Sequence, residues 1–303
     1  MARRKKGRAI SGWVVVDKPA GIGSTTVVSA VRRAFDATKA GHAGTLDPDA
    51  TGILAVALGE ATKTVAVLTD ALKAYDFQVR WGAETTSDDA SGAVTVTSDL
   101  RPDAGQIIAA LPGFCGLIQQ VPPQVSAVKV DGERAYDLAR EGVAMDLAPR
   151  DLWVGELTLI DTPDVDTAVL RLVCGKGGYV RAIARDLGRK LGCLGHVVTL
   201  RRIWSGPFDL ADAVPFAQID GALAGSLDDR ILPLEAALTD LPEVRLPPES
   251  AIRVRNGNPA PGIPVQALDW GAACWASAAG RPVGLGRWQG GDFAPDRLFQ
   301  LPD

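Results

Sequence analysis

The feature that most constrains this chain is a twelve-residue polar segment that runs straight into an apolar one. Residues 41–52 read GHAGTLDPDATG, and residues 53–58 read ILAVAL. Three glycines, two acids and a histidine in one short span do not suit a core, whereas glycine allows sharp turns and close approach of the backbone to a ligand. The apolar run can anchor such a loop as a buried strand, with a helix as the alternative. The pattern predicts a stiff loop that presents Asp47 just before a proline.

Length and composition indicate an ordinary globular protein of one large domain and one small one. The chain has 303 residues, 47% hydrophobic and 22% charged. No long apolar stretch follows the basic N-terminus, so we expect no secretory signal and a cytoplasmic location. The four cysteines form no CxxC pair, which predicts reduced thiols, and two isolated histidines make a zinc site improbable. We expect no metal and no cofactor.

Charge is distributed unevenly along the chain. The net charge is −4, but residues 1–45 carry nine Lys/Arg against two acids and residues 171–202 carry eight against one, each a net of +7. Residues 46–170 carry eight against twenty (−12), and residues 203–303 carry seven against thirteen (−6), so the four segments sum to −4. Two basic blocks could form one electropositive face for a phosphate backbone, or they could be solvated helix faces.

Periodicity predicts an α+β fold with a mixed, largely antiparallel sheet flanked by helices. Three parts are expected: a basic flexible tail at residues 1–10, a large domain at 11–240 and a small β-rich module at 241–303. Strands are predicted from residue 12, over 75–81 and 93–97, at 157–159, over 169–174, and in short pieces after 250, at 251–254, 264–268, 274–276, 281–285 and 298–301. Helices are predicted over about 24–35, capped at the N-terminus by Ser24-Thr25-Thr26, over 101–111 and over 179–191.

The segment GHAGTLDPDATG followed by ILAVALGEATK resembles the signature of the TruB-type pseudouridine synthases. The resemblance implies that residues 11–240 are a catalytic domain with the pseudouridine synthase fold and that residues 241–303 are a PUA-like RNA-binding module. It also implies isomerisation of uridine at position 55 in the T-arm of tRNA, after the base is flipped out of the RNA. Asp47 then occupies the position of the catalytic aspartate. Its attack on the base, its attack on the sugar and a route through a glycal with Tyr75 as proton acceptor all stay open.

Four further segments extend the resemblance from residue 12 to about 208. They are the DKPAG run with Lys18, the KAY triplet with Tyr75, a PPxxSAxKxxG run at residues 122–132 followed by Tyr136, and the pair KGGYVRAIARDLG and LGHVVTLRR at 176–188 and 194–202. Gly178 stands where threonine is common, and Gly23 where threonine or serine is usual.

The resemblance assigns roles residue by residue. Tyr75 and Arg181 join Asp47 as catalytic residues, since an aromatic face can stack on a flipped base and a permanent cation favours an ionised aspartate. His42 is expected to fill space near the flipped nucleotide, and Leu200 to pack against the target base. Lys18 either supports the Asp47 loop or meets RNA. The substrate-binding residues expected in all are Lys18, His42, Gly44, Thr45, Lys176, Tyr179 and Leu200. Lys129 is a candidate phosphate contact, or its segment is a rigid structural connection, and Arg201 and Arg202 are candidate phosphate contacts or a basic rim.

Two other function classes compete with the synthase. A tRNA-binding chaperone of the same fold would need the basic segments but not a nucleophile. A retaining glycosidase would use a carboxylate pair such as Asp47 and Asp49, but the few aromatic residues do not suggest a sugar groove. The expected partner is the tRNA T-arm alone, without a protein subunit, as in the bacterial stand-alone enzymes rather than the guide-RNA complexes of archaeal and eukaryotic relatives.

Overall fold

The computed structural model describes residues 7–126, 128–130, 133–134 and 145–301. The chain forms two compact units. Unit 1 comprises residues 1–48, 52–70 and 205–303, and unit 2 comprises residues 49–51 and 71–204. Within the described ranges, none of the helices is long and apolar enough to cross a membrane. The predicted domain limits divide the chain in sequence order, whereas each unit is formed by segments that are distant in sequence.

The strands of the described residues lie in both units, and those of unit 1 include a group in its C-terminal segment. In chain order they are β1 (Gly12–Lys18), β2 (Ala40–His42), β3 (Thr51–Leu58), β4 (Lys73–Trp81), β5 (Ala83–Thr85), β6 (Val94–Thr97), β7 (Gly116–Gln120), β8 (Lys129–Val130), β9 (Glu133–Arg134), β10 (Arg150–Asp164), β11 (Thr167–Cys174), β12 (Gly195–Ser205), β13 (Phe208–Asp209), β14 (Val214–Pro215), β15 (Glu243–Arg245), β16 (Ala260–Pro261), β17 (Ile263–Pro264), β18 (Ala273–Ala278), β19 (Arg281–Gln289) and β20 (Asp292–Leu298).

Among the described residues, the helices are fewer than the strands and mostly short. The α-helices are α1 (Ser24–Ala34), α2 (Val65–Asp70), α3 (Ala104–Ala110), α4 (Val180–Lys190), α5 (Phe216–Ile219) and α6 (Pro248–Arg255), and single 3₁₀ turns connect several elements. The mixture of strands and helices confirms the predicted α+β class. The strand over residues 53–58 is confirmed as β3, which removes the helical alternative.

In unit 1, β1 lies between β3 and β14, antiparallel to the first and parallel to the second. This central position explains why β1 is apolar at consecutive residues rather than at alternate ones. Trp13 and Val16 are both fully buried, and the Trp13 ring centroid lies 5.7 Å from that of Phe208. Strand β2 pairs antiparallel with β3, so the 41–52 loop begins and ends on adjacent strands.

In unit 2 the strand order is β12-β4-β11-β10-β7, with antiparallel pairing of β4 with β11, β11 with β10 and β10 with β7. On β4, Tyr75, Phe77 and Val79 are buried while Arg80 is exposed. One face of this sheet therefore forms a core, and α4 packs against β4 on the buried side. The strands predicted over residues 75–81 and 169–174 and the helix over 179–191 are confirmed.

The C-terminal segment forms a six-stranded sheet in the order β16-β20-β19-β18-β15-β17, which confirms a β-rich region there. Its own apolar cluster includes Val244, Val254, Trp288 and Phe293. The strand predicted over residues 251–254 is wrong, because these residues lie in α6. Ala251 and Val254 are buried three residues apart with exposed neighbours between them, a helical spacing that a four-residue window cannot distinguish from a strand.

Thiol chemistry gives a first test of the packing. Burial raises the pKa of the Cys174 thiol to about 12 and the pKa values of Cys193 and Cys274 to about 11, whereas Cys115 is exposed. Because the thiolate is the reactive form, one thiol per native chain should react with a disulfide reagent near neutral pH, and all four should react after denaturation. Cys115→Ser should abolish the native signal, and rapid reaction of a second native thiol would contradict the packing.

The carboxylate of Glu60 links the first part of unit 1 to its last residues. It accepts from Lys63 Nζ at 2.6 Å and from the Gln300 amide at 2.7 Å. Burial opposes ionisation, but these two hydrogen bonds and the charges of Lys63 and Lys39 together outweigh it and lower the pKa of Glu60.

Because the pKa of Glu60 is lower in the folded protein, the unfolded chain takes up a proton at a higher pH than the folded chain does. The stabilisation by Glu60 should therefore be complete above the unfolded value of about 4.3 and disappear as pH falls through the lower folded value. We predict that Glu60→Gln lowers the free energy of unfolding by about 1 kcal/mol at pH 7 and that the difference vanishes in acid, measured by urea denaturation across pH. An equal difference at every pH would contradict this assignment.

Candidate active site

The loop that carries Asp47 is held at the residue that follows it. The carbonyl oxygen of Pro48 accepts from the Gly21 amide at 3.0 Å and from Lys18 Nζ at 2.7 Å. Asp47 itself is half-buried. Two independent donors on one carbonyl fix the backbone directly beyond the carboxylate, which limits the positions that the carboxylate can take.

Lys18 is the centre of this arrangement. Its side chain is fully buried, and Nζ also donates to the carbonyl oxygens of Pro19 at 2.9 Å and Ile22 at 2.8 Å. A buried ammonium is tolerated only where its charge and donors are satisfied, and three backbone carbonyls around one Nζ meet that requirement. Of the two predicted roles, the structure supports the first, because a side chain with no exposed surface supports the loop and is not placed to meet RNA.

On its other side the loop is held through Ser24. The Leu46 amide donates to Ser24 Oγ at 3.0 Å, and Ser24 Oγ donates to the Leu46 carbonyl at 2.9 Å. The predicted capping role of Ser24 is therefore wrong. Gly23 occupies the N-terminal cap of α1 without a side-chain bond, and Ser24 instead uses its hydroxyl on the residue directly before Asp47.

The remaining predicted residues of this loop lie between β2 and Asp47. His42 ends β2 and stands opposite Val56 of β3, and the Ala43 amide donates to the Ala55 carbonyl at 3.0 Å. Gly44 has φ of 83°, a left-handed conformation that a side chain disfavours, so its glycine is explained by the turn. Thr45 is exposed. His42, Gly44, Thr45, Asp47 and Lys18 therefore lie together in unit 1.

The other predicted residues lie in unit 2. Tyr75 is 8% exposed on β4, opposite Leu172 of β11. Leu200 is half-buried on β12, and its carbonyl accepts from Thr51 Oγ1 at 3.3 Å. Both are apolar surfaces of the kind that can contact a base.

The loop between β11 and α4 contains Lys176 and Tyr179. Lys176 is exposed, and Gly177 adopts φ of 80°. The buried Gln120 side chain holds the Tyr179 backbone at both polar groups, accepting from its amide at 2.9 Å and donating to its carbonyl at 3.1 Å. This pair of bonds fixes the residue immediately before α4.

Arg181 lies in the first turn of α4 and is 5% exposed. Nη1 donates to the Ser87 carbonyl at 2.9 Å and lies 3.6 Å from Asp89 Oδ2, and Nη2 donates to the Val125 carbonyl at 3.0 Å. The guanidinium is thus oriented by two chain segments, which suits a fixed cation rather than a surface ion pair.

Sequence reasoning missed the series of arginine pairs to which Arg181 belongs. Arg181, Arg185 and Arg189 follow one another at four-residue spacing on α4, so they share one helix face. They pair with Asp89, Asp88 and Glu84 respectively, at 3.6, 2.7 and 2.6 Å. The four-residue spacing and the acids at 84–89 were both visible in the sequence and could have suggested it.

These pairs reduce the positive charge that the basic segment at residues 171–202 can present to a ligand. Arg171 also forms a bidentate pair with Asp76, so four of the eight basic residues in 171–202 are matched by acids of unit 2. The block's net charge of +7 in the sequence therefore overstates its contribution to an electropositive face.

Other basic and aromatic residues of the motif segments are either buried or outside the described residues. Arg202 is 1% exposed, which does not suit a phosphate contact. His196 is 7% exposed, and its Nδ1 lies 3.0 Å from the Ala83 carbonyl oxygen, an acceptor to which that nitrogen donates. Tyr136 and residues 1–6 of the tail lie outside the described residues, as does the side chain of Lys129.

Comparison with known sequences identifies the family. The profile of the TruB family pseudouridylate synthase (N terminal domain) matches residues 32–180, and that of the tRNA pseudouridylate synthase B C-terminal domain matches residues 181–239. A protein of Paracoccus denitrificans named tRNA pseudouridine synthase B is 63% identical over 98% of this chain and 99% of its own length. The chain belongs to the TruB family. A second family member of that name, from a Ruegeria species, is 60% identical over 99% of both chains.

Solved structures support the fold. An H/ACA ribonucleoprotein bound to a substrate RNA containing 2′-deoxyuridine contains a chain that matches with a TM-score of 0.75 at 22% identity, over 100% of this chain and 92% of that one. At this identity the likeness shows the fold alone, and it confirms the predicted pseudouridine synthase fold for this TruB chain.

The Ser24 contact yields a prediction for this TruB family member. Ser24→Ala leaves the Leu46 amide and carbonyl without their partner, and we expect a loss of about 1–3 kcal/mol of stability together with slower turnover, because Asp47 follows directly. Ser29 on α1 is the matched control, since its hydroxyl bonds the Thr25 carbonyl on the exposed helix face. Ser29→Ala should match the parent protein in both urea denaturation and rate, and a Ser24→Ala protein with the parent's stability would contradict the role given to Ser24.

Proposed function

We propose that this protein converts one uridine of the tRNA T-arm, at position 55, to pseudouridine with Asp47 as nucleophile. The observation that carries the proposal is Asp47 itself, a carboxylate on a loop held from both sides by Ser24 and by Lys18 with Gly21. A protein that only bound RNA would have no need to hold one aspartate in this way. Its family relatives, named tRNA pseudouridine synthase B, support the same reaction and substrate.

The reaction is a rearrangement in which no atom is gained or lost overall. The bond from C1′ to N1 of uracil breaks, the base rotates, and a bond from C1′ to C5 forms. The proton on C5 is lost and N1 gains one, so the product is an isomer of the substrate. Attack by Asp47 on the base, attack on the sugar and a glycal route with Tyr75 as proton acceptor share this balance. Each needs an ionised carboxylate held next to the flipped nucleotide.

The apolar residues of unit 2 are proposed to hold the flipped uracil. Tyr75 offers an aromatic face and a polar tip, and Leu200 offers an aliphatic contact. His42, Gly44 and Thr45 are proposed to line the nucleotide from the Asp47 loop. Arg181 is proposed as the cation that favours the ionised state of Asp47 during the reaction, since guanidinium keeps its charge at every physiological pH.

Docking of the RNA is proposed to involve the exposed Lys176, with Tyr179 placed by Gln120. We propose that the protein acts on the T-arm without a protein partner, in the cytoplasm, and that residues 241–303 form a PUA-like module that contributes RNA contacts. Phosphate contacts by exposed basic residues would make tRNA affinity fall as salt rises.

The proposal predicts that binding and chemistry separate at Asp47. Asp47→Asn keeps the size of the side chain but removes the nucleophile, so we expect pseudouridine formation to fall by about 10⁴-fold or more while the dissociation constant for unmodified tRNA stays within about threefold. The assay measures tritium release from C5-labelled uridine in tRNA and maps the product by position.

Asp49 provides the matched control, because it is an exposed carboxylate two residues along the same loop. Asp49→Asn should keep a rate within about twofold of the parent protein. Full activity in Asp47→Asn would contradict the proposal that Asp47 is the nucleophile. Tight tRNA binding by the parent protein without any product would instead favour the chaperone, and hydrolysis of a nucleoside or glycan would favour the glycosidase.

A further inference from the structure

Two loops are joined through consecutive turns of α4. The first is the 87–89 loop (residues 87–89), and the second is the 121–125 segment (residues 121–125). Arg181 donates to the Ser87 carbonyl and to the Val125 carbonyl, while Arg185 donates to Asp88 Oδ2 at 2.7 Å and to the Val121 carbonyl at 2.8 Å. Each arginine therefore bonds both segments, so the same connection is made twice, one helical turn apart.

The 87–89 loop is built so that its middle residue faces Arg185 and its outer residues face Arg181. Asp88 bonds Arg185, whereas the Ser87 carbonyl and the Asp89 carboxylate contact Arg181. Asp88 has φ of 62°, a left-handed conformation that is uncommon for residues other than glycine but tolerated by aspartate and asparagine. A single backbone turn thus fixes the directions of all three groups at once.

The contact between Arg185 and Asp88 is shielded from solvent. Their side chains are 8% and 11% exposed, and Arg185 Nε also bonds Asp186 at 2.8 Å. Burial raises the pKa of the Asp88 carboxyl, against the effect of Arg185, which lowers it. Without Arg185 this buried carboxylate would lose its hydrogen-bonded partner and keep only the more distant charges of Arg181 and Arg189, which favours a shift of the loop toward water.

We infer that Arg185 and Asp88 are positioning residues that set the guanidinium of Arg181 by holding the 87–89 loop, so that they control the rate of the reaction without touching the substrate. The inference rests on the proposed role of Arg181. Displacing a reacting or charge-stabilising group by about 1 Å can cost on the order of a hundredfold in rate, so a loop shift is sufficient.

Arg189 supplies a matched control on the same helix. It forms a bidentate pair with Glu84 at 2.6 and 2.7 Å, one turn beyond Arg185, and its side chain is 55% exposed. Unlike Asp88, Glu84 does not adjoin a group that contacts Arg181 among the contacts described for that arginine. A loss of rate that comes from weakening α4 in general should appear in both variants, whereas positioning should appear only at Arg185.

The test compares single-turnover rates at saturating unmodified tRNA with tRNA dissociation constants. Arg185→Gln should lower the rate by about tenfold or more and leave the dissociation constant within about threefold, while Arg189→Gln stays within about twofold in both. Arg185→Lys should recover part of the loss, since one ammonium can still bond Asp88. In an Arg181→Lys background, Arg185→Gln should cause no further loss of more than about twofold. The guanidinium that Arg185 is inferred to position is already absent from that protein.

A second variant decides the matter if Arg185→Gln does not fold. Asp88→Asn keeps a residue that accepts φ near 62° and removes only the charge, so its rate should fall by at least about threefold. A parent rate in Arg185→Gln would overturn this inference and leave the proposed function standing. If Arg185→Gln does not fold, a parent rate in Asp88→Asn would have the same meaning. Equal losses in Arg185→Gln and Arg189→Gln, or a full further loss in the Arg181→Lys background, would also overturn it. A parent rate in Arg181→Lys would overturn the proposed role of Arg181 and this inference with it.

Discussion

Unit 1 depends on one buried ammonium. Lys18 ends β1 and gives its hydrogen bonds to three backbone carbonyls, two in the turn that follows and one at Pro48. Burying a charged group is unfavourable unless every donor is met, so the chain around Lys18 has to adopt one arrangement. That arrangement places Asp47. The end of β1, the turn before α1 and the Asp47 loop therefore meet at this one side chain, and Ser24 holds the same loop from its other side.

Unit 2 uses charge in a similar way. Arginines on α4 pair with acids at residues 84–89 and reach the carbonyls of the 121–125 segment, so most of that charge orders the protein rather than facing solvent. Exposed ion pairs contribute little to stability, but buried pairs with full hydrogen bonding restrict geometry strongly. Both units thus place a proposed catalytic group, Asp47 or Arg181, with buried polar contacts to the backbone. Packing of apolar side chains alone would not set the direction of a carboxylate or a guanidinium so closely.

Much of the fold followed from local pattern, and much of the site did not. The apolar run at residues 53–58 and the alternation at 75–81 predict β3 and β4. Which faces of a strand are buried shows directly in the order of apolar and polar residues over a short window. The four residues 251–254 were misjudged as a strand because they fit either period. Ser24 was expected to cap α1, but its partner is Leu46, twenty-two residues away, and no local rule finds such a contact. The pairing of the 171–202 block with acids at 76–89 is equally non-local, so net charge along the sequence overstated an exposed basic face. The motif resemblance named Asp47 and Arg181, while Arg185 and Asp88 emerged only from the contacts.

The measurement that tests the account most directly is the rate of pseudouridine formation by Lys18→Met at saturating tRNA. Methionine keeps an unbranched side chain of similar length but cannot donate to the Pro48 carbonyl. The account predicts that the rate falls by about a hundredfold or more, because the Asp47 loop loses its anchor, while tRNA affinity changes by less than about threefold since the buried Lys18 does not meet RNA. A Lys18→Met protein that forms pseudouridine at the parent rate would show that Asp47 is placed by something other than this contact.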